Sequence, residues 1–164
     1  MPRRTDNLVR LSITTDLTEF DCGDADLNEF LLKDARRYMT ELLTVTYLVM
    51  ENSTIAAYFS LANDLLTCDP STPEGKRGWN KLTRSIPNKK RRKSFPAVKL
   101  GRLAVDGTFK GAGLGREILD YLKQWFIVGN KTGCRFITVD AYNERQVLRF
   151  FEGYGFRFLT PEKD

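Results

Sequence analysis

The chain has 164 residues, 41% of them hydrophobic, and carries 26 Lys and Arg against 21 Asp and Glu, a net charge of +5. It has no histidine, which removes the commonest general base and metal ligand and closes Ser-His and Cys-His hydrolase schemes. That length suits one core, so a single domain over residues 1–164 is expected; the lack of a long apolar run and three widely spaced cysteines, Cys22, Cys68 and Cys134, point to reduced thiols and a cytoplasmic setting.

In chain order, Leu8–Thr14 alternates as a strand. Asp21, Asp24 and Asp26 are cap and turn residues ahead of a helix expected near Leu27–Tyr38, with Leu27, Phe30, Leu31 and Ala35 on its apolar face. LLTVTYLVM, ending at Met50, and TIAAYFSLA are rich in β-branched and aromatic residues, and Glu51-Asn52-Ser53 joins them as a hairpin. A polar, basic insertion follows over about residues 69–95. A strand at Ala97–Val105, a helix at Gly115–Val128, a strand at Arg135–Asp140, a helix at Glu144–Glu152 and a last strand at Phe156–Leu159 complete an α/β order.

The segment LGRLAVDGTFKGAGLGR, Leu100–Arg116, carries the chemistry. A strand runs into a basic, glycine-rich turn and then directly into a helix, whose first amides are unpaired and lie at the positive end of its dipole, as a pyrophosphate site requires. A P-loop is excluded because Arg116 and Glu117 follow Gly115 where Lys and Ser/Thr are needed. A dinucleotide fingerprint fits poorly, since Gly111, Gly113 and Gly115 alternate at a distance from the strand; Asp140, at the end of the next strand, keeps it as a minor alternative.

The same segment resembles motif A of the GNAT superfamily of acetyl-CoA-dependent N-acetyltransferases, with Lys110, Gly113 and Gly115 on its R/Q-x-x-G-x-G/A pattern. YNERQVLRFFEGYGF, Tyr142–Phe156, resembles motif B, and FDCGDADLNEFLLKDA, Phe20–Ala35, resembles the opening of a branch that includes toxins of bacterial toxin-antitoxin pairs. The resemblance implies a central mixed, twisted sheet flanked by helices and splayed at the acetyl-CoA site. It implies cofactor contacts from Leu103, Ala104, Val105, Lys110, Gly111, Ala112, Gly113, Leu114, Gly115, Arg116, Asn143 and Phe151, with a main-chain N–H near Val105 meeting the oxyanion.

Direct transfer needs a neutral amine, oxyanion stabilisation and a leaving thiolate. The family's usual acid is the tyrosine of F-Y-x-x-x-G-F, and here that position is Phe151. Tyr142 and Tyr154 are the substitutes at hand, although a coenzyme A thiol, with a pKa near the 8.5 of free cysteine, also leaves without a donor. Asp64 and Asp140, at strand ends, are turn or cap carboxylates first and candidate bases second; Asn143 is either a cofactor-arm ligand or a helix N-cap.

The insertion holds the unbroken basic run Lys89–Lys93, which suits either a phosphate backbone or a solvated loop, and Trp79, which either stacks on a base or anchors the loop. Two acceptors follow: the α-amine of an aminoacyl-tRNA, with an antitoxin protein as partner, or a small-molecule or protein amine. A non-catalytic acyl-CoA-binding module is the reading from another class. The family usually has a further strand after the one at Phe156–Leu159, which TPEKD is too short to supply, so either the chain is truncated or it is a variant with an open sheet edge, and a homodimer formed on that edge is expected.

Overall fold

The computed structural model describes residues 4–17, 19–67, 71–88, 92–130 and 132–159. Its strands are β1 (Leu8–Arg10), β2 (Val45–Glu51), β3 (Thr54–Thr67), β4 (Ser94–Val105) and β5 (Phe136–Val139). They form one sheet in the order β1-β2-β3-β4-β5; β4 and β5 are parallel and the other pairs antiparallel. The helices are α1 (Ala25–Glu29), α2 (Ala35–Thr40), α3 (Pro73–Leu82), α4 (Leu114–Ile127) and α5 (Arg145–Gly153).

The sheet is covered on both faces. On one, Leu114, Ile118, Leu119 and Leu122 of α4 and Phe151 of α5 pack with Phe59, Leu61 and Leu100. On the other, Phe30, Leu31 and Ala35 pack with Leu48, Tyr58 and Ala104. The buried Tyr58 hydroxyl is satisfied by donating to the Leu27 carbonyl at 2.6 Å, as a polar group inside a core must be.

Local chemistry accounts for the element ends. Asn52 and Ser53 both take positive φ, +49° and +66°, which turns β2 into β3 through a two-residue hairpin. Asp24 caps α1 by accepting from the Leu27 amide at 3.1 Å. The expected helix at Leu27–Tyr38 extends from Ala25 to Thr40, with a π-helical turn at Phe30–Asp34.

Three expectations change. The first strand stops at Arg10 rather than Thr14, because the Thr15 hydroxyl accepts from the Ser12 amide at 2.8 Å and bends the chain. The insertion is largely ordered: β3 runs on to Thr67 against the start of β4, and α3 begins at Pro73 behind a Thr72 N-cap. Trp79 anchors it, its ring 5.4 Å from that of Phe95; Cys68 and the Lys89–Arg91 part of the basic run lie outside the described residues. Finally, Phe156–Leu159 is not a strand. Gly155 turns at φ +87° and the Phe156 amide bonds back to the Phe151 carbonyl at 3.1 Å, so the chain cannot run along β5. Among the described residues the outer edge of β5 is therefore unpaired, and none of the helices is long and apolar enough to cross a membrane.

Candidate cofactor site and acyl-transfer cleft

The site begins where two parallel strands part. β5 pairs with β4 only from Ala97 to Leu100, whereas β4 continues along β3 to Val105. Gly101 is the extra residue of a bulge, since Leu61 opposes Leu100 and Ser60 opposes Arg102. Hydrogen bonding alternates along an antiparallel strand. The Asp106 amide donates to the Ala56 carbonyl at 2.9 Å, so Ala104 also turns its main chain to β3 and Leu103 and Val105 turn theirs to the open side. Ala104 thus belongs to the sheet and the core, while Leu103 and Val105 offer unpaired amides and carbonyls.

The glycine-rich turn lies at the end of that open edge. Gly111 and Gly113 adopt φ of +80° and +81°, conformations that favour glycine, and a β-carbon on either would meet nothing within 4 Å. Gly113 is the N-cap of α4, with its carbonyl taking the amides of Arg116 and Glu117 at 3.0 and 3.1 Å. The Leu114 and Gly115 amides have no earlier carbonyl within the helix and point out of its positive end. Open space before a row of amides fits an anionic pyrophosphate, and the unpaired edge of β4 fits an amide-bearing arm. The residues present therefore fit acetyl-CoA.

Gly115 is required for a different reason. A β-carbon there would come within 3.3 Å of the Phe150 ring, which covers the first turn of α4 beside Val105. By sequence Phe150 reads as plain core; its proximity to the turn has no signal in residue spacing. Phe151, by contrast, is buried, with its ring against Phe150 and Phe156 at 5.2 and 5.4 Å.

The two candidate tyrosines lie on opposite faces of the sheet. Tyr142, just past β5 and 45% exposed, faces the α1 side. Its partial burial, with the charges of Asp24 and Asp26, raises its phenol above the ordinary value against the opposing charge of Arg102. Arg102 itself sits over the Phe30 ring at 3.9 Å. Tyr154 packs on Phe150 at 5.5 Å on the α4 side, under the Lys123 ammonium, which donates to the Tyr154 carbonyl at 2.8 Å.

The candidate bases are both engaged. Asp64 accepts from the Thr138 hydroxyl at 2.5 Å and from the Leu65 amide at 2.8 Å. Burial pushes its carboxyl up, but these bonds and the Lys99 charge outweigh it and hold Asp64 below the usual range. Asp140 pairs with Lys99 at 2.8 Å. Asn143 does not cap α5, whose N-cap is Glu144. Cys22 and Cys134 are free thiols that burial pushes up, and no cluster of metal ligands occurs among the described residues.

Lys110 does not face the open space before the turn. Its ammonium donates to the Cys22 carbonyl at 2.5 Å. Behind it, Asp21 and Asp106 are each drawn below the ordinary carboxylate range. At Asp21 the Gly23 amide and then the Asn28 side chain are responsible; at Asp106 burial opposes the shift and the bonds from Thr108 and the Asp21 amide prevail.

A sheet split at a bulged strand, with a glycine turn and helix N-terminus at the split, defines an acyl-CoA-dependent transferase fold. Residues 86–164 match the acetyltransferase (GNAT) domain family. The match spans the part of the chain that holds the split, the glycine turn and α4, and the chain is an acyltransferase. Its solved structural neighbours include KacT and the toxin AtaT. AtaT complexed with acetyl-methionyl-tRNAfMet is 24% identical with a TM-score of 0.73, over 95% of this chain and 90% of that one. AtaTR bound with acetyl-CoA is 25% identical with a TM-score of 0.68, over 96% and 90%. A tyrosine-to-phenylalanine mutant of KacT is 25% identical with a TM-score of 0.67, over 92% and 86%. AtaT has also been solved as a toxin bound to the C-terminus of its antitoxin AtaR, at 23% identity.

Proposed function

We propose that this protein transfers the acetyl group of acetyl-CoA to the α-amine of an aminoacyl-tRNA. The observation that carries the reading is the open edge of β4 at Leu103 and Val105, continuous with the Gly111–Gly115 turn at the start of α4. The bound cofactor supplies an acyl group activated as a thioester. The amides of Gly113, Leu114 and Gly115 hold its pyrophosphate, and the main chain of Leu103 and Val105 pairs with the pantetheine arm. The Val105 N–H is then the preorganised donor for charge developing on the acyl oxygen.

Proton handling falls to Tyr142. It stands beyond the end of β5, 45% exposed, and a phenol is protonated at neutral pH and so has a proton to give a departing thiolate. Neither Asp64 nor Asp140 is free to act as base, which favours an acceptor that needs little help. An α-amine, with a pKa of about 8, is already partly neutral at working pH, unlike a lysine side chain near 10.4.

The net charge of +5 and the run Lys89–Lys93 suit a polyanionic acceptor. The likeness to AtaT with acetyl-methionyl-tRNAfMet supports a tRNA, and an antitoxin such as AtaR is to AtaT is the proposed protein partner. Incubation with radiolabelled acetyl-CoA and methionyl-tRNA should give label that stays with the RNA and is released by mild base as N-acetylmethionine. Label that instead appears on small polyamines or protein lysines, with none on RNA, would favour the other primary-amine reading.

A further inference from the structure

The turn carrying Asp21, Cys22 and Gly23 lies more than eighty residues from the glycine-rich loop in sequence and is bonded to it through both backbone and side chains. The Asp21 amide donates to Asp106 Oδ2 at 3.0 Å, and the Gly107 amide donates to the Asp21 carbonyl at 2.8 Å. The Lys110 ammonium donates to the Cys22 carbonyl at 2.5 Å. Asp106 in turn ties the loop to itself, accepting from the Thr108 amide and hydroxyl at 2.9 and 2.6 Å.

The N-terminal half of this arrangement is braced from α1. Asn28 donates to Asp21 Oδ1 at 2.8 Å and accepts from the Cys22 amide at 2.9 Å, while the Gly23 amide donates to Asp21 Oδ1 at 2.7 Å. Gly23 takes φ of +79°, a backbone conformation that favours glycine. The bonds between the two segments end on Asp106, Gly107 and Lys110, which lead into Gly111, so the direction in which the loop enters its turn is set from the N-terminal turn and its brace on α1.

We propose that the Asp21–Asn28 turn is a clasp that holds the pyrophosphate loop in its binding shape, with Lys110 acting as the latch of that clasp instead of as a phosphate ligand. The proposal rests on the reading that the loop binds acetyl-CoA, and it assigns Asp21, Asn28, Asp106 and Lys110 as positioning residues. It also explains why a D-C-G turn and an A-V-D-x-x-x-K stretch occur together in one chain: each is half of the same contact. An amide row serves an anion only when its vectors converge, and a clasp anchored on a packed helix maintains that convergence before the ligand arrives.

The test uses the full-length protein, acetyl-CoA, and acetyl-pantetheine, which lacks the pyrophosphate. Asn28→Ala removes the brace without altering any loop residue. It should weaken acetyl-CoA binding in calorimetry by about tenfold, the loss of one or two hydrogen bonds, and leave acetyl-pantetheine binding unchanged. KM for acetyl-CoA should rise with kcat preserved at saturation. Without ligand, amide exchange over residues 107–115 should quicken while that of β2 and β3 stays slow.

Lys110→Met should give the same loss as Asn28→Ala, Lys110→Arg should restore most of it, and the Asn28→Ala/Lys110→Met double variant should be no worse than either single one. Multiplicative losses, a lower salt dependence confined to the Lys110 variant, or equal weakening of both ligands would overturn the clasp. Lys110→Met carries the two-ligand comparison alone if Asn28→Ala fails to fold. A wild-type protein that does not bind acetyl-CoA refutes the underlying reading; a wild type that binds beside variants that bind equally well refutes only the clasp.

Discussion

The Phe150 ring lies against Gly115, so that a β-carbon on this glycine would stand 3.3 Å from Phe150 Cζ and 3.9 Å from Val105 Cγ2. The aromatic side chain of α5 thereby sets how closely the first turn of α4 approaches β4. Gly115→Ala should lower affinity for acetyl-CoA severalfold through displacement of that turn, and Phe150→Leu in the same background should recover it. Isothermal titration of the single and double variants checks this; additive losses would show that the two residues act separately.

Gly113 is constrained by conformation, not by space. At φ +81° with nothing within 4 Å of a β-carbon, Gly113→Ala meets no steric neighbour yet is strained by about 1–2 kcal/mol. The expected outcome is a melting temperature lower by several degrees. Melting with and without acetyl-CoA should show a reduced ligand-induced shift as well.

Tyr142 and Tyr154 separate cleanly by mutation. If the Tyr142 phenol manages the proton, Tyr142→Phe should lower kcat by about a hundredfold or more with little change in KM for acetyl-CoA. Tyr154→Phe should leave kcat unaltered, because its ring serves Phe150 and Lys123 on the α4 side. Steady-state kinetics with both variants would reverse the assignment if only the second lost activity.

Stability should fall on the acid side. Asp64 is held below its ordinary value when folded, so below its unfolded value of about 3.9 the unfolded chain binds more protons than the native one. Its contribution is present in full above that unfolded value and is lost as pH falls through the lower folded value. Urea unfolding at stepped pH from 7 to 3 should show this loss, and Asp64→Asn should make the acid limb shallower.

The basic run gives a prediction on salt. Replacing Lys89, Lys90 and Lys93 with glutamine should weaken tRNA binding and flatten the dependence of log affinity on log salt, by somewhat under one unit of slope for each phosphate that is no longer neutralised. Filter binding at several salt concentrations measures it. An unchanged slope would remove this segment from the RNA interface.

Much of the site was legible because it is made of backbone. Strand β4, the turn from Gly111 to Gly115 and the start of α4 are consecutive in the chain, so the glycine-rich stretch ahead of a helix reports where amides are free. The strand at Phe156–Leu159 misled for the opposite reason: its alternating aromatics suit a strand, but the Phe156 amide is bound to the end of α5. The insertion misled by its polarity, which concealed a capped helix whose Trp79 reaches the core at Phe95.

What the sequence determined by itself is the class of the site, a glycine turn and helix start directly after a strand, because those features depend on residues a few positions apart. Only the tertiary structure decided which side chains serve it. It sent Lys110 to the Cys22 carbonyl, set Phe150 against Gly115, and put Tyr142 near the charges of Asp24, Asp26 and Arg102 while Tyr154 packs on Phe150. Side-chain direction follows from packing and hydrogen bonds between segments far apart in the chain, and no local spacing encodes it.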